Sequence, residues 1–326
     1  MNNNYNKMNY YIINIRSKAF IKFNFLFFLF LNLISSIFAQ EDVTIGAIYN
    51  LESKLHQKIM TSFESYIWEK GHLVKHFFRQ KDLNNIKQRV IETNCSFIFA
   101  IGNKATKYAN ESNIPGLFIL VYDPFKMNLI NEDSRLPVGK LTGIDINTSP
   151  NYIYSVLKTI FPSKKTKIGF IYNPKKSGHI YNQFDFENQH FNLINKDIYE
   201  KRDALIAFSK LINKIDLFIG FRDTTIFNKQ TIAPIFKHSI EKKIPIIGFN
   251  SSMTKLGALM SFYNNNDKLA IQAANIILEL INGKDVESTP LTYPKNIEYN
   301  INKKIANIMK IQISKDILDK STHIIK

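Results

Sequence analysis

Short apolar runs alternate with stretches of helical period along most of the chain. Residues 43–49 read as a buried strand. Residues 56–70 follow as a helix with Ile59, Met60, Phe63, Ile67 and Trp68 on one side, stopped by Gly71. Trp68 on that stripe reads as core. Next come a strand at 73–78, a helix at 82–93, a strand at 96–102, a helix opening at Asn103, and a strand at 114–122 ending in Asp123-Pro124. Repeated strand–helix alternation predicts a parallel sheet covered by helices. Residues 141–146 read as a connecting strand.

The pattern then restarts with a helix at 152–161, a strand at 167–172, a helix at 203–212, and a strand at 215–221 that runs into Arg222-Asp223. Helical spacing continues over 226–240, and a short strand at 244–249 ends in Asn250-Ser251. Strand, helix and strand in so short a span form a βαβ unit. Residues 175–195 carry Asn, Gln and His without clean periodicity and take no element. A strong amphipathic helix at 267–281 precedes an extended segment at 290–294, a strand at 298–302 and a helix at 303–309.

Two such sets joined by a thin segment predict an α/β protein of two Rossmann-like lobes with a cleft between them. The expected lobes are 43–146 plus 258–288 and 147–257 plus 289–326. Ligands of open α/β sheets sit beyond the carboxyl ends of the strands. The polar residues expected there are Asn50, Ser53, Gly102, Asn103 and Asp123 in the first lobe. In the second they are Asn173, Asp223, Thr224, Asn250 and Ser251. They include no nucleophile–base pair, which is the inventory of a binding site rather than of an enzyme. Asp123 could equally cap the turn before Pro124, and Asp223 the helix after it. Tyr49, Tyr122, Tyr172, Phe221 and Phe249 stand near strand ends, where they could stack on an aromatic ligand or belong to the core.

The first residues read as an address. A basic stretch with Lys7, Arg16, Lys18 and Lys22 precedes an apolar run at 23–34 and a small residue, Ala39. That is a signal peptide over 1–39, with the mature chain starting near Gln40. The run is shorter than the ~20 residues that span a bilayer, and no cysteine follows it for a lipid anchor. The expected location is the periplasm. The formal charge of +16 is spread along the chain without a nucleic-acid-binding signature, so it reads as compositional bias. One cysteine, Cys95, excludes an intrachain disulfide and a cysteine zinc site, and the dispersed histidines offer no metal set. No cofactor motif is present.

Several motifs together resemble the ABC-transporter substrate-binding proteins of the type I periplasmic-binding fold, in the branch whose better-known members take aromatic amino acids. They are IFAIGNKAT (98–106), VYDPFKMNLI (121–130) with LTGIDI (141–146), and FPSKKTKIGFIYNP (161–174). The longest runs from Asp216 through Gly283, and the ending EYNINKKIANIMKIQISKDIL also fits. The resemblance implies three strands crossing between lobes, hinge closure on a small organic ligand, and delivery by a monomer to a membrane permease. It also implies that Asp223 pairs with a ligand ammonium, so that Asp223→Asn would weaken binding and leave the ligand-free melting temperature nearly unchanged. Asn103 stands where the family tends to have a hydroxyl residue, so carboxylate capture there would rest on backbone N–H groups and the helix dipole. The alternatives are an anchored ligand-sensing domain with the N-terminal segment uncleaved, and an exported enzyme.

Overall fold

Runs rich in Ile, Phe and Ala extend as strands buried on both faces, the signature of sheets covered by helices on either side. The computed structural model describes residues 43–77, 85–188 and 190–326. The expected signal segment lies outside the described residues, as do 82–84 of the second expected helix. Strands β1 (Thr44–Ile48), β2 (Leu73–Phe77), β3 (Phe97–Ile101), β4 (Gly116–Ile119) and β5 (Leu141–Ile144) form an all-parallel sheet ordered β2-β1-β3-β4-β5.

The second sheet is larger. It contains β6 (Lys167–Tyr172), β7 (Asn192–Asp197), β8 (Leu217–Ile219), β9 (Ile246–Gly248), β10 (Met260–Asn264), β11 (Ile297–Asn302) and β12 (His323–Ile325). Its order is β12-β11-β10-β9-β8-β6-β7, and only β10 and β11 pair antiparallel.

Helices cover both faces of each sheet. In the first lobe α1 (Lys54–Glu69), α2 (Ile86–Glu92) and α3 (Asn103–Ser112) are local, and α9 (Asn266–Ile281) returns from far along the chain to pack beside α1. One face buries Ile45, Phe63, Phe99 and Ile277, with the Phe63 and Phe99 rings stacked 4.0 Å apart. The other buries Ile98, Ala105, Ala109 and Phe118. The second lobe uses α4 (Pro150–Ile160), α5 (Pro174–Phe186), α6 (Ala204–Leu211), α7 (Ile232–Lys242), α8 (Ser251–Leu256), α10 (Lys303–Met309) and α11 (Lys315–Asp319), again over two apolar clusters. Among the described residues no helix is long and apolar enough to cross a membrane.

The chain passes between the sheets three times: after β5, after β10 and before β11. These passages are tied to one another. Asp145 N donates to Thr292 O at 2.8 Å and Asn264 Nδ2 to Ile146 O at 3.3 Å. Sheet pairing moves the crossing points away from the expected 258 and 289. Residues 260–264 are a strand of the second sheet, whereas Thr292 bridges Ile144 of the first.

Two elements differ from expectation. The stretch 175–195, which took no element in the sequence, holds α5 and the start of β7. Asn173 accepts from Lys175 N at the head of α5, and Pro174 fills the first helical position, where a missing N–H costs nothing. Trp68, expected in the core, is 69% exposed. At about 100° per residue, Trp68 lies half a turn around the helix from Ile59, opposite the Ile59, Phe63 and Ile67 stripe.

Core and surface should therefore separate cleanly on α1. Phe63→Ala is expected to cost about 3–5 kcal/mol in urea unfolding, and Trp68→Ala to stay within about 0.5 kcal/mol. A Trp68→Ala loss comparable to that of Phe63→Ala would mean that the helix faces the sheet differently.

Candidate functional site

The carboxyl ends of both sheets point to the region where the chain crosses, and side chains satisfy the helix ends there. In the first lobe Ser53 caps α1, its hydroxyl accepting from His56 N. Gly102 caps α3 at φ +88°, a conformation that glycine takes without strain. A Cβ there would stand 3.2 Å from the His56 ring, so glycine also lets that ring close over the start of α3. His56 Nδ1 accepts from Asn50 N at 3.3 Å, and burial lowers the pKa of the ring, in keeping with a neutral acceptor. Asn103 Oδ1 accepts from Tyr122 N, and Asp123 Oδ1 from Lys126 N at 2.9 Å.

In the second lobe the polar ends are fastened to one another. Asp223 is 3% exposed. Its Oδ2 accepts from Asn173 N at 2.8 Å and Ser177 Oγ at 2.6 Å, and its Oδ1 accepts from Thr225 N at 2.7 Å. This carboxylate ties the end of β8 to the head of α5. Asn250 caps α8, taking hydrogen bonds from Ser252 N and Met253 N, and Thr224 and Ser251 are exposed.

A cleft of about 760 Å³ lies between the lobes. Asp123, Phe125 and Lys126 line it from the first lobe, and Tyr172, Lys175 and His179 from the second. His179 Nδ1 is 3.7 Å from Asp123 Oδ2, and its ring is 5.5 Å from that of Phe125. One turn further along α5, Gln183 accepts a hydrogen bond from Tyr293 Oη at 2.5 Å. Burial pushes the Tyr293 phenol well above its usual range, so the hydroxyl stays a donor. The Arg135 guanidinium lies 4.5 Å over the Tyr293 ring and 3.2 Å from Asp145. A smaller cavity of about 30 Å³ sits at the crossing itself, lined by Asn147, Thr148, Phe221, Arg222 and Phe249 among others.

A family described as ABC transporter substrate binding protein matches residues 75–325. The chain belongs to this family. A tyrosine-binding protein of Clostridioides difficile (strain R20291) is similar to this substrate-binding protein, at 26% identity over 70% of this chain and 67% of that one. Two solved structures share its fold. One is the ligand-free, open structure of a substrate-binding protein with adhesive properties from Clostridium difficile, with TM-score 0.67 and 20% identity over 87% of this chain and 99% of that one. The other is an ABC domain from Streptococcus pneumonia in complex with L-Trp, with TM-score 0.59 and 17% identity over 87% and 100%. The two-lobed fold with three crossings is thus that of the type I periplasmic-binding proteins.

In this substrate-binding protein the expected residues divide by task. Asn50, Ser53, Gly102, Asn103 and Asp123 gather at one end of the first sheet. Asn173, Asp223, Thr224, Asn250 and Ser251 gather at the facing end of the second. Of the ten, Asp123 lines the large cleft. Asn173 and Asp223 are buried in internal hydrogen bonds, and Ser53, Gly102 and Asn250 shape helix starts. The aromatic set also splits: Phe221 is core, whereas Tyr122 is 60% exposed. His179 and Gln183 were not singled out, because the helix that carries them was not legible. Arg222 stands in the sequence at the same strand end as Asp223 and belongs to the polar groups expected at the crevice, though not to the ten.

The three internal donors change what Asp223→Asn should do. An amide in this position turns an NH₂ toward one of three N–H or O–H donors. Hydrogen bonds to a charged group contribute about 1.5–3 kcal/mol each, so the substitution should destabilise the protein without added ligand by at least about 1.5 kcal/mol in urea unfolding. An unchanged midpoint would mean that the carboxylate does not hold β8 to α5.

Proposed function

We propose that this chain is the exported solute-binding component of an ABC importer, and that it takes an amino acid with an aromatic side chain into the interlobe cleft for delivery to a membrane permease. The observation that carries this reading is the cleft, which Asp123, Phe125 and Lys126 of one lobe and Tyr172, Lys175 and His179 of the other line beside the tied crossings. Family membership supports a solute-binding role, and the tyrosine-binding and L-Trp-bound relatives support the ligand class. The signal pattern of residues 1–39 supports export. Closure about the crossings would shield a bound zwitterion from water and strengthen each polar contact to it. Phe125 and Tyr172 offer ring faces for an aromatic side chain. Asp123 lines the cleft and is 20% exposed at its side chain, so it is the strand-end carboxylate placed to meet an ammonium group.

Calorimetric titration with the proteinogenic amino acids tests this reading, beginning with L-tyrosine and L-tryptophan. Binding of at least one aromatic amino acid is expected. Asp123→Asn should weaken it by at least about tenfold, the equivalent of roughly 1.4 kcal/mol, while leaving the unfolding midpoint nearly unchanged. Absence of binding by every amino acid at millimolar concentration would overturn the ligand class.

A further inference from the structure

Arg222 follows β8 and lines the cavity at the crossing. It is half-buried, and burial pulls its guanidinium pKa downward, against the opposing effect of the Tyr122 phenol from the other lobe. A guanidinium does not give up its proton in a protein, so this is a charge held in a partly dry place. Among the described residues no carboxylate lies within 4.0 Å of it. The half-buried guanidinium of Arg135 differs, because Asp145 stands 3.2 Å away. Taking a charge out of water without a counter-charge costs several kcal/mol.

The group is also oriented. Its Nη2 donates to Phe249 O at 2.7 Å, and its plane lies 5.4 Å over the Phe249 ring. One donor is spent on that carbonyl, and the others remain for a planar, two-oxygen acceptor. The adjoining cavity is otherwise apolar apart from Asn147 and Thr148 of the first crossing. The neighbouring carboxylate, Asp223, is already engaged by Asn173, Ser177 and Thr225 and does not neutralise it.

We propose that Arg222, which lines the small cavity at the crossing, is the anion anchor and takes the carboxylate of the bound amino acid. This rests on the amino-acid reading above and adds to it the polarity of the ligand: carboxylate toward the hinge end of the second lobe, ammonium toward Asp123. It also sets a requirement, since an amine lacking the carboxylate leaves the guanidinium unpaired and should bind poorly.

Calorimetry on the mature chain and its Arg222→Gln and Arg222→Lys variants, with unfolding midpoints recorded for each, tests the proposal. The probes are L-tyrosine and L-tryptophan, the amines tyramine and tryptamine, and the acids 4-hydroxyphenylacetate and indole-3-acetate. The wild-type protein should prefer the amino acid over its amine by at least about tenfold. Arg222→Gln should weaken the amino acid by a similar factor and leave the amine within about twofold, and Arg222→Lys should fall between. Equal weakening of amino acid and amine, or of neither, overturns the assignment. If the wild-type protein binds no amino acid, the amino-acid reading fails separately. Arg222-dependent binding of the two acids would then sustain the anion anchor, and its absence would overturn that too.

Discussion

The Arg135–Asp145 pair holds the molecule's working geometry. Asp145 is 4% exposed and belongs to the first passage between the sheets. Its Oδ2 meets Arg135, and its Oδ1 accepts from the backbone and side chain of Asn147 at 3.0 Å. Arg135 donates from Nε to Leu291 O and lies over Tyr293, so the same guanidinium also grips the third passage. Losing either charge would strand the other in a buried site, which is far costlier than losing a surface pair. The pair thus ties the first passage to the third.

Around it the two lobes meet the demands of their strand ends differently. The first lobe leaves Asp123 at the cleft surface, with Lys126 N as its local donor. The second lobe spends Asp223 internally and presents a cation instead. Carboxylates and cations of both lobes thus stand near the crossings, Asp123 and Lys126 on one side and Lys175 on the other.

The alternation of strands and helices was legible because both sheets are parallel, and their strands read as unbroken apolar runs. Local chemistry could not disclose the partners of Asp223, since Asn173 and Ser177 lie 50 and 46 residues away. Read from sequence, Asp223 had two local roles, ligand anchor or cap; the bond from Thr225 N is the local, cap-like one, and those from Asn173 and Ser177 add a role as a fastener between elements. The head of α5 was readable in principle: Asn173-Pro174 is a helix-capping pair, but it also marks turns, and the weak periodicity beyond it favoured the turn. Trp68 misled because it adjoins Ile67 in sequence while lying well around the helix from it. The crossing near residue 258 was misplaced because β10 is a short apolar run directly before a strongly amphipathic helix, and only pairing with β9 and β11 shows which lobe owns it.

His179 and Gln183 give the arrangement of the lobes a grip that owes nothing to any solute. Both project from α5, one toward Asp123 and Phe125, the other toward the Tyr293 hydroxyl. A molecule entering between Asp123 and His179 has to find these contacts parted. Its apparent dissociation constant is then its intrinsic one divided by the fraction of molecules standing open. Each 1.4 kcal/mol by which such contacts favour closure costs tenfold in apparent affinity. Tightening the grip on α5 would make a slower, weaker scavenger, whereas loosening it would leave more of the population ready to receive.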